Sequence, residues 1–183
     1  MEDNLIQANY FYEDNLETGR LRTRFLNIDD VESWSPFFKD PEAVALFPLS
    51  LLGTDGTDPA LTWIERQLAR YKNKEYGAQA VLDKKSGEFL GLCGLILQEV
   101  DGKKELEVGY HMLRKNWGNG YAPEAAKAFI DFAFRNKLNG SVISIIDIRN
   151  TKSQRVAEKN GLRIDKQTRW RDLDVYIYRI TRP

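Results

Sequence analysis

The residues best suited to chemistry run from Arg114 to Ala122, Arg-Lys-Asn-Trp-Gly-Asn-Gly-Tyr-Ala. Gly118 and Gly120 stand one residue apart, behind two cations and ahead of an apolar stripe at helical spacing. Glycines leave backbone N–H groups uncovered, and a helix start adds unpaired N–H groups and the positive end of its dipole. The pattern suits a cradle for an anion, with Arg114 and Lys115 able to add charge. It suits equally a strand-to-helix turn that binds nothing. Two other phosphate motifs fail. A P-loop carries Lys and Ser/Thr after its last glycine, where Tyr121 and Ala122 stand. A dinucleotide fingerprint needs a third small residue where Pro123 stands, and it opens a βαβ unit rather than closing a meander.

A second constellation runs from Asn150 to Leu162, Asn-Thr-Lys-Ser-Gln-Arg-Val-Ala-Glu-Lys-Asn-Gly-Leu, and also opens a helix at a strand end. Asn150 suits the cap and Gly161 the left-handed stop. Ser153 shares a helix face with Val156 and Ala157, which turns its hydroxyl inward. Other chemistries lack their parts. One histidine, His111, and one cysteine, Cys93, make no metal cluster, and no Gly-x-Ser-x-Gly elbow presents a hydrolase serine. Cys93 lies in the apolar run Phe89–Ile96 and reads as a small buried residue rather than a nucleophile.

The elements that must position these segments follow from periodicity. Arg20–Leu26 alternates as a half-exposed strand. Helices follow over Asp30–Phe38 and Pro41–Phe47, and a third starts at Pro59 with Leu61, Ile64, Leu68 and Tyr71 near helical spacing. Leu49–Pro59, rich in Gly and Asp, reads as a loop and the most flexible segment. Turns at Asp83–Gly87 and Asp101–Lys103 join Ala78–Leu82, Phe89–Gln98 and Glu105–Leu113 into an antiparallel meander. Ala125, Ala126, Phe129, Ile130, Ala133 and Phe134 form the stripe after the glycine loop, with Pro123 and Glu124 in the first turn. Ser141–Ile148 is apolar on both faces and should lie inside the sheet. Strands over Leu162–Arg169 and Asp174–Thr181 close a mixed α/β fold.

Taken together, the two segments resemble the GNAT acetyltransferase superfamily, most of all the branch that acetylates ribosomal-protein N-termini. Trp117–Ala125 is similar to that branch's W-G-x-G-Y-A-x-E-A, and Asn150–Leu162 to its N-x-x-S-x-x-V-x-E-K-x-G-F. Leu106–Tyr110 resembles the strand before the loop, and Leu16–Arg24 the opening strand. Lys115 holds the first position of a loop that in the superfamily begins with Gln or Arg. Leu162 replaces Phe, and Ala157 stands where many members carry a tyrosine that protonates the leaving thiolate.

The resemblance implies one GNAT-like domain over residues 1–183, with residues 1–15 as an N-terminal extension. Its sheet would be central, mostly antiparallel and splayed, with six or seven strands flanked by helices. It implies acetyl-CoA as cosubstrate and no metal. Lys115, Asn116, Trp117, Gly118, Asn119, Gly120, Tyr121 and Ala122 would grip the pyrophosphate, chiefly by backbone. The pantetheine arm would lie beside His111, Met112 and Leu113, where the sheet splays after Leu113. Asn150 and Ser153 would also touch the cofactor, and Arg155 would face its 3′-phosphate. An amine must lose a proton to attack the thioester. Alternation puts Glu105, Glu107, Gly109 and His111 on one strand face, so Glu107 or His111 could take that proton, and the Ser153 hydroxyl could donate to the leaving thiolate. The implied acceptor is a primary amine, foremost a protein or peptide N-terminus, shaped by the early helices, the Leu49–Pro59 loop and the Trp170–Asp174 hairpin. Trp34, Trp63 and Tyr76 read as core. The alternatives are a small-molecule amine acetyltransferase and a catalytically weak CoA-binding module.

Composition bounds these readings. In 183 residues, 27 Lys+Arg balance 27 Asp+Glu, so bulk charge calls for no nucleic-acid partner. Apolar residues make up 42%, enough for a full core, and no apolar run is long enough to span a membrane. The acidic N-terminus does not read as a secretory signal, and the lone cysteine fits a cytoplasmic location. Monomer and homodimer both remain open.

Overall fold

The computed structural model describes residues 10–48 and 56–182. Its elements run β1 (Leu21–Arg24), α1 (Asp30–Lys39), α2 (Pro41–Val44), α3 (Pro59–Lys72), β2 (Ala78–Asp83), β3 (Phe89–Val100), β4 (Lys103–Met112), α4 (Tyr121–Arg135), β5 (Ser141–Asp147), α5 (Thr151–Lys159), β6 (Arg163–Trp170) and β7 (Leu173–Thr181). Caps set the helix starts. Asp40 and Asp58 accept backbone N–H bonds ahead of Pro41 and Pro59, and Asn150 accepts from Ser153 N. A turn at Asp83, whose Oδ1 accepts from the N–H groups of Lys85 and Ser86, fixes the β2–β3 hairpin.

The strands form one seven-stranded sheet in the order β1-β2-β3-β4-β5-β7-β6. Every neighbouring pair is antiparallel except β4–β5, which is parallel. As its two apolar faces require, β5 lies inside the sheet. One core packs α4 and α5 on the sheet through Phe129, Phe132, Leu90 and Val108. On the other face Trp34, Phe37, Trp63, Ile64 and Leu92 pack α1 and α3. In α4 Phe132 is buried beside Phe129, whereas Phe134 is only partly covered. Cys93 is fully buried, and its thiol pKa is raised by that burial.

Of the N-terminal extension, residues 10–15 are described and are tied to the sheet. Tyr12 Oη donates to Gly77 O (2.5 Å) and accepts from Leu95 N (3.1 Å), and Phe11 stacks on Phe132. Most of the Leu49–Pro59 loop, residues 49–55, lies outside the described residues. No described helix is long and apolar enough to cross a membrane.

Beside the site the sheet opens. The β4–β5 ladder holds at Glu107 and Ile143. Next to it, side chains stand in for backbone. Ile145 N donates to Glu107 Oε1 (3.2 Å), and Ser144 Oγ donates to Val108 O (2.9 Å). The separation thus begins around Val108, earlier in the strand than the end at Leu113 that the sequence pattern indicated. The cause is that Glu107 and Ser144 occupy positions where ladder bonds would otherwise continue the pairing.

Candidate active site

The glycine loop is held from below. Leu113 N donates to Leu90 O (3.0 Å), a 3₁₀ turn spans Arg114–Asn116, and Asn116 Nδ2 also reaches Leu90 O (3.0 Å). The Trp117 indole N–H donates to Met112 O (2.9 Å), and Asn119 Nδ2 reaches Asn116 O (3.2 Å). Gly118 and Gly120 have φ of +78° and +77°, a region that penalises any Cβ. A Cβ at Gly118 would meet nothing within 4 Å, so its face opens onto free space. The N–H groups of Gly118, Asn119, Gly120, Tyr121 and Ala122 donate to no acceptor among the described residues. Orphan donors converging at a helix start make an anion cradle, which fits a diphosphate.

The two cations at the head of the loop point elsewhere. Lys115 Nζ pairs with Glu88 (2.6 Å), and Arg114 with Glu42 (2.9 Å) and Asp40 (3.5 Å). Lys152 instead approaches from α5, its Nζ 4.3 Å above the Trp117 ring. Leu113 packs into the core on the α1–α3 side and does not line the cleft. His111, Met112, Asn116, Trp117, Gly118, Gly120, Tyr121, Ala122, Asn150 and Ser153 do line it, as do Glu107 and Arg155. The cleft is about 820 Å³. It runs from the glycine loop past the β4–β5 opening to Phe37, Phe47, Trp63, Ile96, Trp170 and Leu173.

Glu107 sits at the opening, only 8% exposed. Burial raises its carboxyl pKa, while Gln98 Nε2 (2.8 Å), Ile145 N and the charge of Arg70 hold it back. His111 projects to the opposite side of β4 from Tyr110, among the rings of Phe37, Phe47 and Trp63. Burial lowers its pKa to about 4, so the imidazole is neutral at physiological pH. On α5, Asn150 Oδ1 is spent on the cap at Ser153 N (3.0 Å). The Ser153 carbonyl accepts from Tyr110 Oη (2.8 Å), while its own hydroxyl has no partner among the described residues. Ala157 is buried, where a tyrosine would have to fit.

The sequence pattern left several wall residues unassigned. Phe37 and Phe47 lie in or next to short helices with no motif, and Gln98 stands near the end of a long apolar strand. Trp63 is core, as its periodicity indicates, yet its edge also forms cleft wall. The Trp170–Asp174 hairpin does reach the cleft, through Trp170 and Leu173. Among the described residues no group of three or more His, Cys, Asp or Glu could hold a metal ion.

Residues 20–163 match the Acetyltransferase (GNAT) domain family. The chain is 34% identical over 166 residues to the uncharacterized protein YkkB of Bacillus subtilis (strain 168), spanning 89% of this chain and 93% of that one. Its fold superposes on the acetyltransferase from Agrobacterium tumefaciens str. C58 with a TM-score of 0.77 and 26% identity, over 94% and 97% of the two chains. It also superposes on RimL, a ribosomal L7/L12 alpha-N-protein acetyltransferase solved in complex with coenzyme A, with a TM-score of 0.70 over 92% and 98% of the chains. At 14% identity that likeness concerns the fold alone. With the family matched across the loop, the opened strands and the capped helix alike, this chain belongs to the GNAT acetyltransferases and is an acetyl-CoA-dependent N-acetyltransferase.

Proposed function

We propose that the acceptor is a single α-amine, foremost the N-terminus of a peptide or protein, and that Glu107 and Ser153 handle its protons. The observation that carries this reading is the state of the acids around the cleft. Three described carboxylates line it: Glu42, Glu107 and Asp147. Glu42 faces Arg114 and Lys152, and Asp147 is gripped by Arg149 through Nη2 (2.7 Å) and Nε (2.9 Å). Glu107 alone meets no Lys or Arg within ion-pair distance, and it sits where the strands part. A polycationic acceptor such as a polyamine or aminoglycoside needs several free carboxylates. One buried carboxylate beside aromatic walls suits one amine with an apolar flank.

The proton balance favours an α-amine. Its pKa of about 7.7–8.0 leaves a useful neutral fraction near pH 7, whereas a lysine amine at about 10.4 is almost wholly protonated. A carboxylate whose pKa is raised by burial is a better base than an ordinary one. Bound acetyl-CoA supplies the thioester that the neutral amine attacks. Glu107 takes the amine proton directly or through a water. His111, with its pKa lowered to about 4, is the weaker base of the two and serves as wall. The unpartnered Ser153 hydroxyl, one turn into α5, relays a proton from solvent to the departing thiolate, while Glu107 returns the amine proton to solvent, so that no net charge is left on either residue. Lys115 is turned to Glu88, which leaves the diphosphate to backbone N–H groups.

The test is acetyl transfer from radiolabelled acetyl-CoA to a panel of peptides with free N-termini, the same peptides with blocked N-termini, spermidine and an aminoglycoside. Label on free-N-terminus peptides alone supports the reading. Preferential label on spermidine or the aminoglycoside refutes it.

A further inference from the structure

The segment before β1 makes a set of contacts that binding and proton transfer leave unexplained. Arg20 reaches across to the glycine loop and the first turn of α4. Its Nη1 donates to Asn119 O (2.9 Å), its Nε donates to Glu124 Oε2 (2.7 Å), and its Nη2 lies 2.6 Å from the same oxygen. Its backbone N–H donates to Glu124 Oε1 (3.0 Å), which Thr18 Oγ1 also donates to (2.5 Å). The guanidinium lies 4.8 Å from the centre of the Tyr121 ring. A surface pair of this exposure (49% and 22%) would ordinarily contribute little to stability. The geometry is more specific than stability requires. Both carboxylate oxygens of Glu124 are used, and one loop carbonyl is singled out.

We infer that Arg20 is a positioning residue for the diphosphate of acetyl-CoA. A peptide group is planar, and its C=O and N–H point in opposite directions. Holding Asn119 O on the Arg20 side therefore turns Gly120 N–H away from Arg20. Gly118 and Gly120 line the cleft while Asn119 does not, as that orientation requires. The Gly120 N–H is among the donors with no acceptor among the described residues. Arg20 also neutralises Glu124, which stands in the first turn of the helix that must receive a doubly charged group. Without the guanidinium, the Glu124 carboxylate would repel the diphosphate and compete for the same N–H groups. Arg20 thus acts through Asn119 and Glu124 and need not touch the substrate.

The inference rests on the loop holding the diphosphate, and CoA binding that survives Gly120→Val would overturn that assignment itself. For Arg20, calorimetry with the full-length protein compares CoA and 3′-dephospho-CoA, and steady-state kinetics compares acetyl-CoA with S-acetylpantetheine, which has no phosphate. Arg20→Ala should weaken CoA and 3′-dephospho-CoA by the same factor, about tenfold for the loss of charge-assisted bonds. It should raise the acetyl-CoA KM with little change in kcat, and leave kcat/KM for S-acetylpantetheine unchanged. Arg20→Lys keeps the charge but loses the fork, and should fall between wild type and Arg20→Ala. Glu124→Gln combined with Arg20→Ala should recover part of the affinity, because the uncompensated charge is gone. A general disturbance of the fold would lower kcat and the S-acetylpantetheine rate together, and that result overturns the proposal. CoA affinity within twofold of wild type in both Arg20→Ala and Arg20→Lys overturns it as well.

Discussion

The two ends of the cleft are built from different material. At the glycine-loop end the groups left without an acceptor among the described residues are backbone N–H donors, those of Gly118 to Ala122, in a loop fixed by bonds from Asn116, Trp117 and Asn119. At the aromatic end, where we propose that the acceptor enters, the lining is side chains: Phe37 from α1, Phe47 after α2, Trp63 from α3, Trp170 and Leu173 from the last hairpin. Glu107 stands at the junction, bonded to β5 through its own carboxylate. A backbone cradle tolerates changed side chains but not changed φ. A side-chain wall tolerates changed backbone sequence but sets what can enter. One end can thus stay constant in chemistry while the other is free to vary in acceptor.

Substitutions can break this contrast at either end. The largest effect belongs to Gly120→Val. At φ +77° a β-branched residue is strained, and its Cβ would lie 3.3 Å from Arg20 Nη2, so CoA binding measured by calorimetry should vanish. Glu107→Gln keeps an acceptor for Ile145 N and removes the proposed base. Turnover should fall roughly a hundredfold or more with CoA affinity unchanged. Ser153→Ala should lower kcat by roughly tenfold, because water can replace the donor in part, and should leave the CoA dissociation constant nearly as it was. Unchanged turnover would remove Ser153 from the proton path.

The last effect is on stability rather than on activity. His111 has a folded pKa of about 4 against an ordinary 6.5, so between those values the unfolded chain binds a proton that the folded chain refuses. Stability is therefore fully present above pH 6.5 and is lost as pH falls toward 4, by about 3 kcal/mol at most. Buried Glu107 shifts the other way, its raised pKa costing stability as pH rises. Denaturant melts of wild type and His111→Phe across pH 4–7 isolate the histidine: the variant should lack that acid-side loss.

The same contrast explains what could be read from the sequence. The local structure of the glycine-loop end was legible because its physics is local. Gly-x-Gly after a strand and before an apolar stripe constrains a few consecutive residues, and the Asn150 cap is likewise settled within one turn. The meander and the interior place of β5 were legible from hairpin turns and two-faced apolarity. The walls at the other end were legible as elements, the early helices and the Trp170–Asp174 hairpin, but not as residues, because Phe37, Trp63 and Gln98 become neighbours only through the packing of distant elements, and aromatics at helical spacing look like core whichever surface they meet. The directions of Arg114 and Lys115 were hidden for a similar reason. Their partners Glu42 and Glu88 lie far away in sequence, and proximity to a glycine loop says nothing about which acid a long cation will find. The early opening of β4 from β5 depends on two side chains, Glu107 and Ser144, taking backbone partners, which strand patterning does not encode.

The most direct test of the divided cleft is the pH dependence of kcat/KM toward a peptide acceptor, measured for wild type and Glu107→Gln at matched CoA occupancy. A base of raised pKa should give the wild type an acid limb above the ordinary carboxylate range, with rate rising toward the α-amine pKa near 8. In Glu107→Gln that acid limb should disappear while CoA binding stays intact. An identical acid limb in both proteins, or a variant that loses CoA together with activity, would contradict the account.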